Sequence, residues 1–174
     1  MAAIARAAGI TPAVIYDHFG SKADLYTSLL ESKTQGVLMS VGTAVAAAPP
    51  ELAARMRAGA DAFFAFVEQQ EFAWLLLFRD PPADPELAAM HGRLANNATQ
   101  GIAAFLRESA PPGLLDQPDA ERDLEMLAQL LRTAQNGLAA WWYEHPEVSQ
   151  EEVVAVSTAL LWEGFRGFAE RGAG

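Results

Sequence analysis

The chain has 174 residues, 51% of them hydrophobic, which suits one generous domain or a small head on a larger body and excludes a chain disordered throughout. It has no cysteine, which excludes disulfide frameworks and thiolate metal sites and fits a reducing, cytoplasmic setting. The net charge of -10 opposes phosphate binding by the chain as a whole, yet residues 1–33 balance Arg6, Lys22 and Lys33 against Asp17, Asp24 and Glu31, so the acidic surplus lies entirely beyond them.

Apolar positions recur at helical rather than alternating spacing and β-branched residues are few, so the expected fold class is all-α. In chain order, Gly9 closes a first short helix. Thr11-Pro12 reads as the cap and first residue of a second, which ends at Phe19-Gly20. Ser21, with Asp24 three residues on, caps a long helix that runs to Pro49-Pro50. A further helix is expected from about Glu51 to Gln70, followed by an aromatic-rich stretch to Arg79. Asp84-Pro85 starts another, lasting to about Glu108. The last two run from about Asp119 to Glu144 and from Ser149, paired with Glu152, to Arg171. No apolar run approaches the roughly 18 to 20 residues of a bilayer span and no export leader opens the chain, so neither a membrane partner nor secretion is expected.

The amino-terminal stretch has a mechanical meaning of its own. Two short helices joined by a three-residue turn containing Gly make a helix-turn-helix, whose second helix can enter the major groove of B-DNA. Ile4, Ala8, Ile10, Ile15 and Phe19 are placed to fill the small core, which leaves Thr11, Pro12, Ala13, Val14, Asp17 and His18 facing outward. Tyr16 can pack its ring while its hydroxyl reaches a phosphate. Lys22 stands in the first turn of the long helix, where its ammonium and nearby amides can meet another phosphate.

With Ile4-Ala5, Ala8-Gly9-Ile10-Thr11, Tyr16, His18-Phe19, Ser21-Lys22 and Leu25 all at fixed spacing, this stretch resembles the signature of the TetR family of transcriptional regulators. The resemblance covers about residues 1 to 30; beyond them only the helix pattern agrees. It implies that Thr11, Tyr16, His18 and Lys22 touch phosphates while Pro12, Ala13, Val14 and Asp17 face base edges. So apolar a reading helix offers methyl contacts to thymine and few bidentate hydrogen bonds. In family members a complete helix precedes this motif, whereas here Met1 falls where the second helix should begin. The expectation is a missing upstream segment, with poor cover for Ile4, Ile15 and Leu25 and a mobile head.

The expected division is a DNA-binding head over residues 1–30 and a helical ligand-binding and dimerisation body over 31–174. Phe63, Phe66, Trp74, Phe78, Met90 and Trp142 would line an apolar cavity, as the resemblance implies for such bodies, with His91, Asn97 and Gln135 as polar fixtures. On the penultimate helix Glu125, Gln129, Arg132 and Asn136 share one narrow face, leaving an apolar arc too wide for one neighbour. It splits into Leu124, Leu131, Leu138 and Trp142 on one side and Met126, Leu130, Ala134 and Trp141 on the other. One row should face the cavity and the other a partner subunit; the first is assigned to the cavity. The final helix adds Val153, Ser157, Leu160, Gly164 and Phe168 to the expected interface, completing an intermolecular four-helix bundle.

The three histidines share no helix face, and no phosphate-binding loop or nucleophile elbow occurs, so no metal, cofactor or enzymatic activity is expected. The reading is a repressor: a homodimer holding two reading helices about 34 Å apart over a palindromic double-stranded operator and released by a small, largely apolar effector. The alternative is a small-molecule-binding or interaction module whose head no longer binds DNA.

Overall fold

The computed structural model describes residues 1–79, 84–110, 114–116 and 118–171, the last seven of these as backbone only. Among the described residues there are helices and no strands, in the order α1 (Ala2–Ala8), α2 (Pro12–His18), α3 (Lys22–Ala47), α4 (Leu52–Gln69), α5 (Glu71–Trp74), a π-helical turn (Leu75–Arg79), α6 (Pro85–Glu108), a 3-10 turn (Leu114–Asp116), α7 (Ala120–Tyr143) and α8 (Gln150–Arg171).

Local chemistry sets most of these boundaries. Gly9 stops α1 in the left-handed region at φ 68°, which a residue with a Cβ adopts only under strain; its amide reaches back to Arg6 and the amide of Ile10 to Ala5. Ser21 accepts from the Asp24 amide at 3.0 Å while the Asp24 carboxylate accepts from the Gly20 amide at 2.9 Å, so two free donors at the start of α3 are satisfied at once. Asp84 caps α6 by accepting from the amides of Glu86 and Leu87. Ser149 and Glu152 do the same reciprocally for α8.

Helix α3, about 39 Å long at 1.5 Å per residue, runs from the head into the body, where it packs on α4. The approach is close: a Cβ on Gly59 of α4 would come within 3.1 Å of Val45. Helix α8 covers another side of α4, and α6 pairs with α7. The main core joins Val37, Phe64, Phe66, Trp74, Trp142, Val153 and Val154, with Phe63, Phe78 and Leu138 packed against it. A smaller one joins Ala103, Leu106, Leu124 and Ala128 between α6 and α7. The polar row of α7 is the face on which α6 docks: Arg132 donates to Thr99 at 2.9 Å, Gln100 to Glu125 at 2.9 Å, and Arg107 pairs with Glu121.

Candidate functional site

Helices α1 and α2 pack on one another and bury Ala5 and Ile15 between them. Phe19 is half-buried. Ile4, Ala8 and Ile10, expected in this small core, are exposed instead, because two helices of seven residues have too little surface to cover them. All eight positions expected to meet DNA face outward: Thr11, Pro12, Ala13, Val14, Tyr16, Asp17, His18 and Lys22 are exposed. Six of them lie on α2, Thr11 is its N-cap and Lys22 opens α3.

In the body, the aromatic residues expected around a cavity meet each other. Phe63 stands edge-on to Phe64 and Phe78 at 5.3 and 6.0 Å, and Phe64 edge-on to Trp142 at 5.8 Å. Phe66, Trp74 and Leu138 complete this packing. Met90, Leu131 and Gln135 are half-buried on α6 and α7. Two expected fixtures are placed otherwise. Asn97 is exposed, on the side of α6 turned to solvent. His91 is occupied within the chain: its Nε2 lies 2.8 Å from the Tyr26 hydroxyl, with the two rings stacked at 6.0 Å, and the Leu77 carbonyl also acts on it. Burial holds the His91 ring below the usual histidine range and the Tyr26 phenol above the usual tyrosine range.

Among the described residues three buried polar atoms have no hydrogen-bond partner: Nε1 of Trp74, Oε1 of Gln135 and Oγ1 of Thr158. Buried indole and amide groups are ordinarily satisfied, so these mark places in the body where a hydrogen-bonding group would be accepted. A groove of about 310 Å³ lies elsewhere, between α3 and α4; Ser32, Lys33, Ser40, Gln69 and Gln70 line it, and it shares only Phe66 with the expected cavity. Among the described residues no group of three His, Asp or Glu could hold a metal ion, and no helix is long and apolar enough to cross a membrane.

The two apolar rows of α7 separate. Leu124 and Trp142 are buried and Leu131 and Leu138 half-buried, while Met126, Leu130, Ala134 and Trp141 are exposed. On α8 the exposed side carries Val156, Leu160 and Gly164, with Leu160 at 72%. Val153 and Ser157, expected at an interface, are buried within the chain together with Val154, on a helix that packs against α4. Phe168 lies outside the described side chains. Sequence reasoning missed Tyr26 and the groove residues, since no local pattern joins positions 65 apart.

Comparison with known proteins gives a consistent result. The family description "Bacterial regulatory proteins, tetR family" matches residues 1–29, and "Tetracyclin repressor-like, C-terminal domain" matches residues 52–164. The HTH-type transcriptional activator FasR of Mycolicibacterium smegmatis is 25% identical over 162 residues, covering 92% of this chain and 71% of its own. A TetR-like transcriptional regulator from Rhodococcus sp. RHA1 has a similar fold, with a TM-score of 0.73 at 20% identity over 95% of this chain and 83% of its own. A second Rhodococcus protein, of unknown function, aligns with a TM-score of 0.62 at 23% identity, covering 92% and 81%.

Proposed function

The chain belongs to the TetR family of transcriptional regulators, and from that premise we propose that it grips a palindromic operator as a homodimer and answers to a small, largely apolar effector. The observation that carries the reading is the exposure of α2, six of whose seven residues are open to solvent, with Thr11 before it and Lys22 after it exposed as well.

The exposed ribbon of Met126, Leu130, Trp141, Val156 and Leu160 supports the dimer. Large apolar side chains exposed on the last two helices are costly in water, and a second copy of the chain set two-fold against them would cover them. The unpartnered Trp74 indole and Gln135 carbonyl support an effector that is mostly apolar and carries one acceptor and one donor. Such a ligand would have to part the aromatic packing around Phe63 and Phe78, which moves α4 and with it α3. The shift it produces equals its differential affinity for the two head spacings.

Repression is the sign expected from simple occlusion of a promoter by a bound dimer. The mycobacterial relative is named an activator, and the same grip on DNA serves either sign according to where the operator lies. A reporter placed downstream of the selected operator distinguishes them.

The direct test is to offer the chain a random-sequence duplex pool at low salt and sequence what it retains. An inverted repeat with half-sites about one helical turn apart is the expected outcome. A pool that remains random, or enriches without dyad symmetry, rejects the operator reading in favour of a binding module with a silent head.

A further inference from the structure

Three elements meet where the head-proximal end of α3 enters the body. Helix α3 packs there against both the π-helical turn and α6. Tyr26, one turn into α3, places its hydroxyl 2.8 Å from Nε2 of His91 on α6, and the rings lie nearly parallel, 28° apart. The carbonyl of Leu77, within the π-turn, is the other group acting on the imidazole. In the tautomer that carries its proton on the other ring nitrogen, Nε2 accepts and the Tyr26 hydroxyl donates to it.

We infer that His91 is a positioning residue for the reading head, holding the angle of α3 through the Tyr26 hydroxyl and taking its own orientation from the π-turn. The inference rests on the DNA-binding reading proposed above. Its physical basis is that a π-turn closes i→i+5 hydrogen bonds where the helices around it close i→i+4 bonds, an irregularity frequent at functional sites. This turn also carries Phe78, which packs on Phe63 in the aromatic core. A ligand that displaces Phe78 therefore moves the Leu77 carbonyl two bonds of sequence away in the same turn. The imidazole then loses the group that orients it, Nε2 ceases to be aimed at Tyr26, and α3 is released. The bond matters to the head because Tyr26 lies only four residues beyond Lys22, whereas the rest of α3 is held to α4 by apolar packing further from the DNA.

The chain has no cysteine, so an Ala7→Cys, Glu144→Cys background carries spin labels at two exposed sites, one on the head and one at the end of α7. Diluted into unlabelled chain, it reports the head-to-body distance within one protomer, independent of dimerisation. One hydrogen bond of ordinary net worth shifts a two-state population by a factor of roughly two to ten. Tyr26→Phe and His91→Phe, which keep both rings, should raise the displaced-head population by that factor. His91→Gln, whose amide oxygen can accept at the place of Nε2, should restore the original distribution. If the joint were ring packing alone, the two Phe variants would be silent and His91→Gln the disturbed one, and that pattern overturns the inference. An unchanged distribution in Tyr26→Phe overturns it equally. Retention of duplexes from the random pool is measured in parallel on the unsubstituted chain. Failure there with the expected distance result would remove the DNA-binding reading while leaving the joint between Tyr26 and His91 in place.

Discussion

Arg132 of α7 donates from Nε to the hydroxyl of Thr99 on α6 at 2.9 Å, and that hydroxyl, almost wholly buried, lies 3.1 Å from the side-chain oxygen of Gln129. The contact sits beside the smaller core of Ala103, Leu106, Leu124 and Ala128 and, with the Gln100–Glu125 and Arg107–Glu121 pairs, joins α6 to α7. Thr99→Val keeps the shape and removes the hydroxyl, leaving Gln129 and Arg132 without their shared partner. A cost of about 1–2 kcal/mol is expected, a fall of roughly 2–8 °C in the thermal midpoint for a chain of this size. Adding Arg132→Met should recover part of it, because both partners are then apolar. A melt of the single and double variants by circular dichroism checks both statements; a double variant worse than the sum of the singles would contradict them.

Leu160 and Val154 lie about 120° apart around α8, the first 72% exposed and the second fully buried. The same substitution must therefore act differently at each. Leu160→Glu should leave the helical signal of the isolated chain intact and abolish self-association, so that light scattering after size exclusion gives the 18.7 kDa chain mass rather than twice it. Val154→Glu places a carboxylate in the main core and should prevent folding outright. A Leu160→Glu chain that remains dimeric would move the interface off this ribbon.

The contrast on α8 shows where the sequence was legible. The head could be read because its stops and starts are local: a Gly that must take positive φ, a Thr-Pro start, and a Ser with Asp three on each act within four residues. On α7 a polar row on the same helix showed how the two apolar rows divide, but not which of them faces the chain's own core. On α8 no such polar row exists between Val153 and Gly164, so apolar and small residues surround the helix and its rotation is set by α4. Val153 and Ser157 accordingly turned inward. The π-turn after Trp74 and the bond between Tyr26 and His91 depend on tertiary packing alone, as does the role of the polar row of α7, which docks α6.

His91 and Glu152, with Glu121 lowered by Arg107 in the same range as Glu152, bear on the acid side of the stability profile. Burial lowers the affinity of His91 for a proton in the folded chain, so the unfolded chain takes up a proton first as pH falls through about 6.5. Stability is unaffected by this group above that value and declines below it. Glu152 is held below the usual carboxylate range by its bonds to Ser149, so its contribution is present above about 4.5 and is lost as pH falls further. Both act in the same direction but in separate windows. Urea midpoints at pH 7.5, 5.5 and 4 should fall in two stages, and His91→Gln should remove the first stage only. If His91→Gln retains the whole decline between pH 7.5 and 5.5, burial of the imidazole is not its cause. On the alkaline side Tyr26 works the other way: its raised value means that stability is lost as pH climbs through 10, where the unfolded phenol ionises first.

Lys22 and Val14 are both exposed in the head and should contribute to DNA binding in ways that salt separates. An ammonium on a phosphate displaces a condensed counterion, so Lys22→Ala should weaken binding to every duplex and flatten the slope of log affinity against log salt by about 0.9 for each protomer. Val14 carries no charge and can offer only methyl contact to a thymine edge. Val14→Ala should therefore leave the salt slope unchanged and weaken binding to the selected operator while sparing unrelated duplexes. The two results together distinguish a helix lying in the major groove from a head that merely rests on the backbone. Fluorescence anisotropy with the operator recovered from the random pool and a scrambled duplex of equal length, each at three salt concentrations, makes the comparison. Equal losses of Val14→Ala on both duplexes would mean that α2 does not read bases, and the assignment of Pro12, Ala13 and Asp17 to base edges would fall with it.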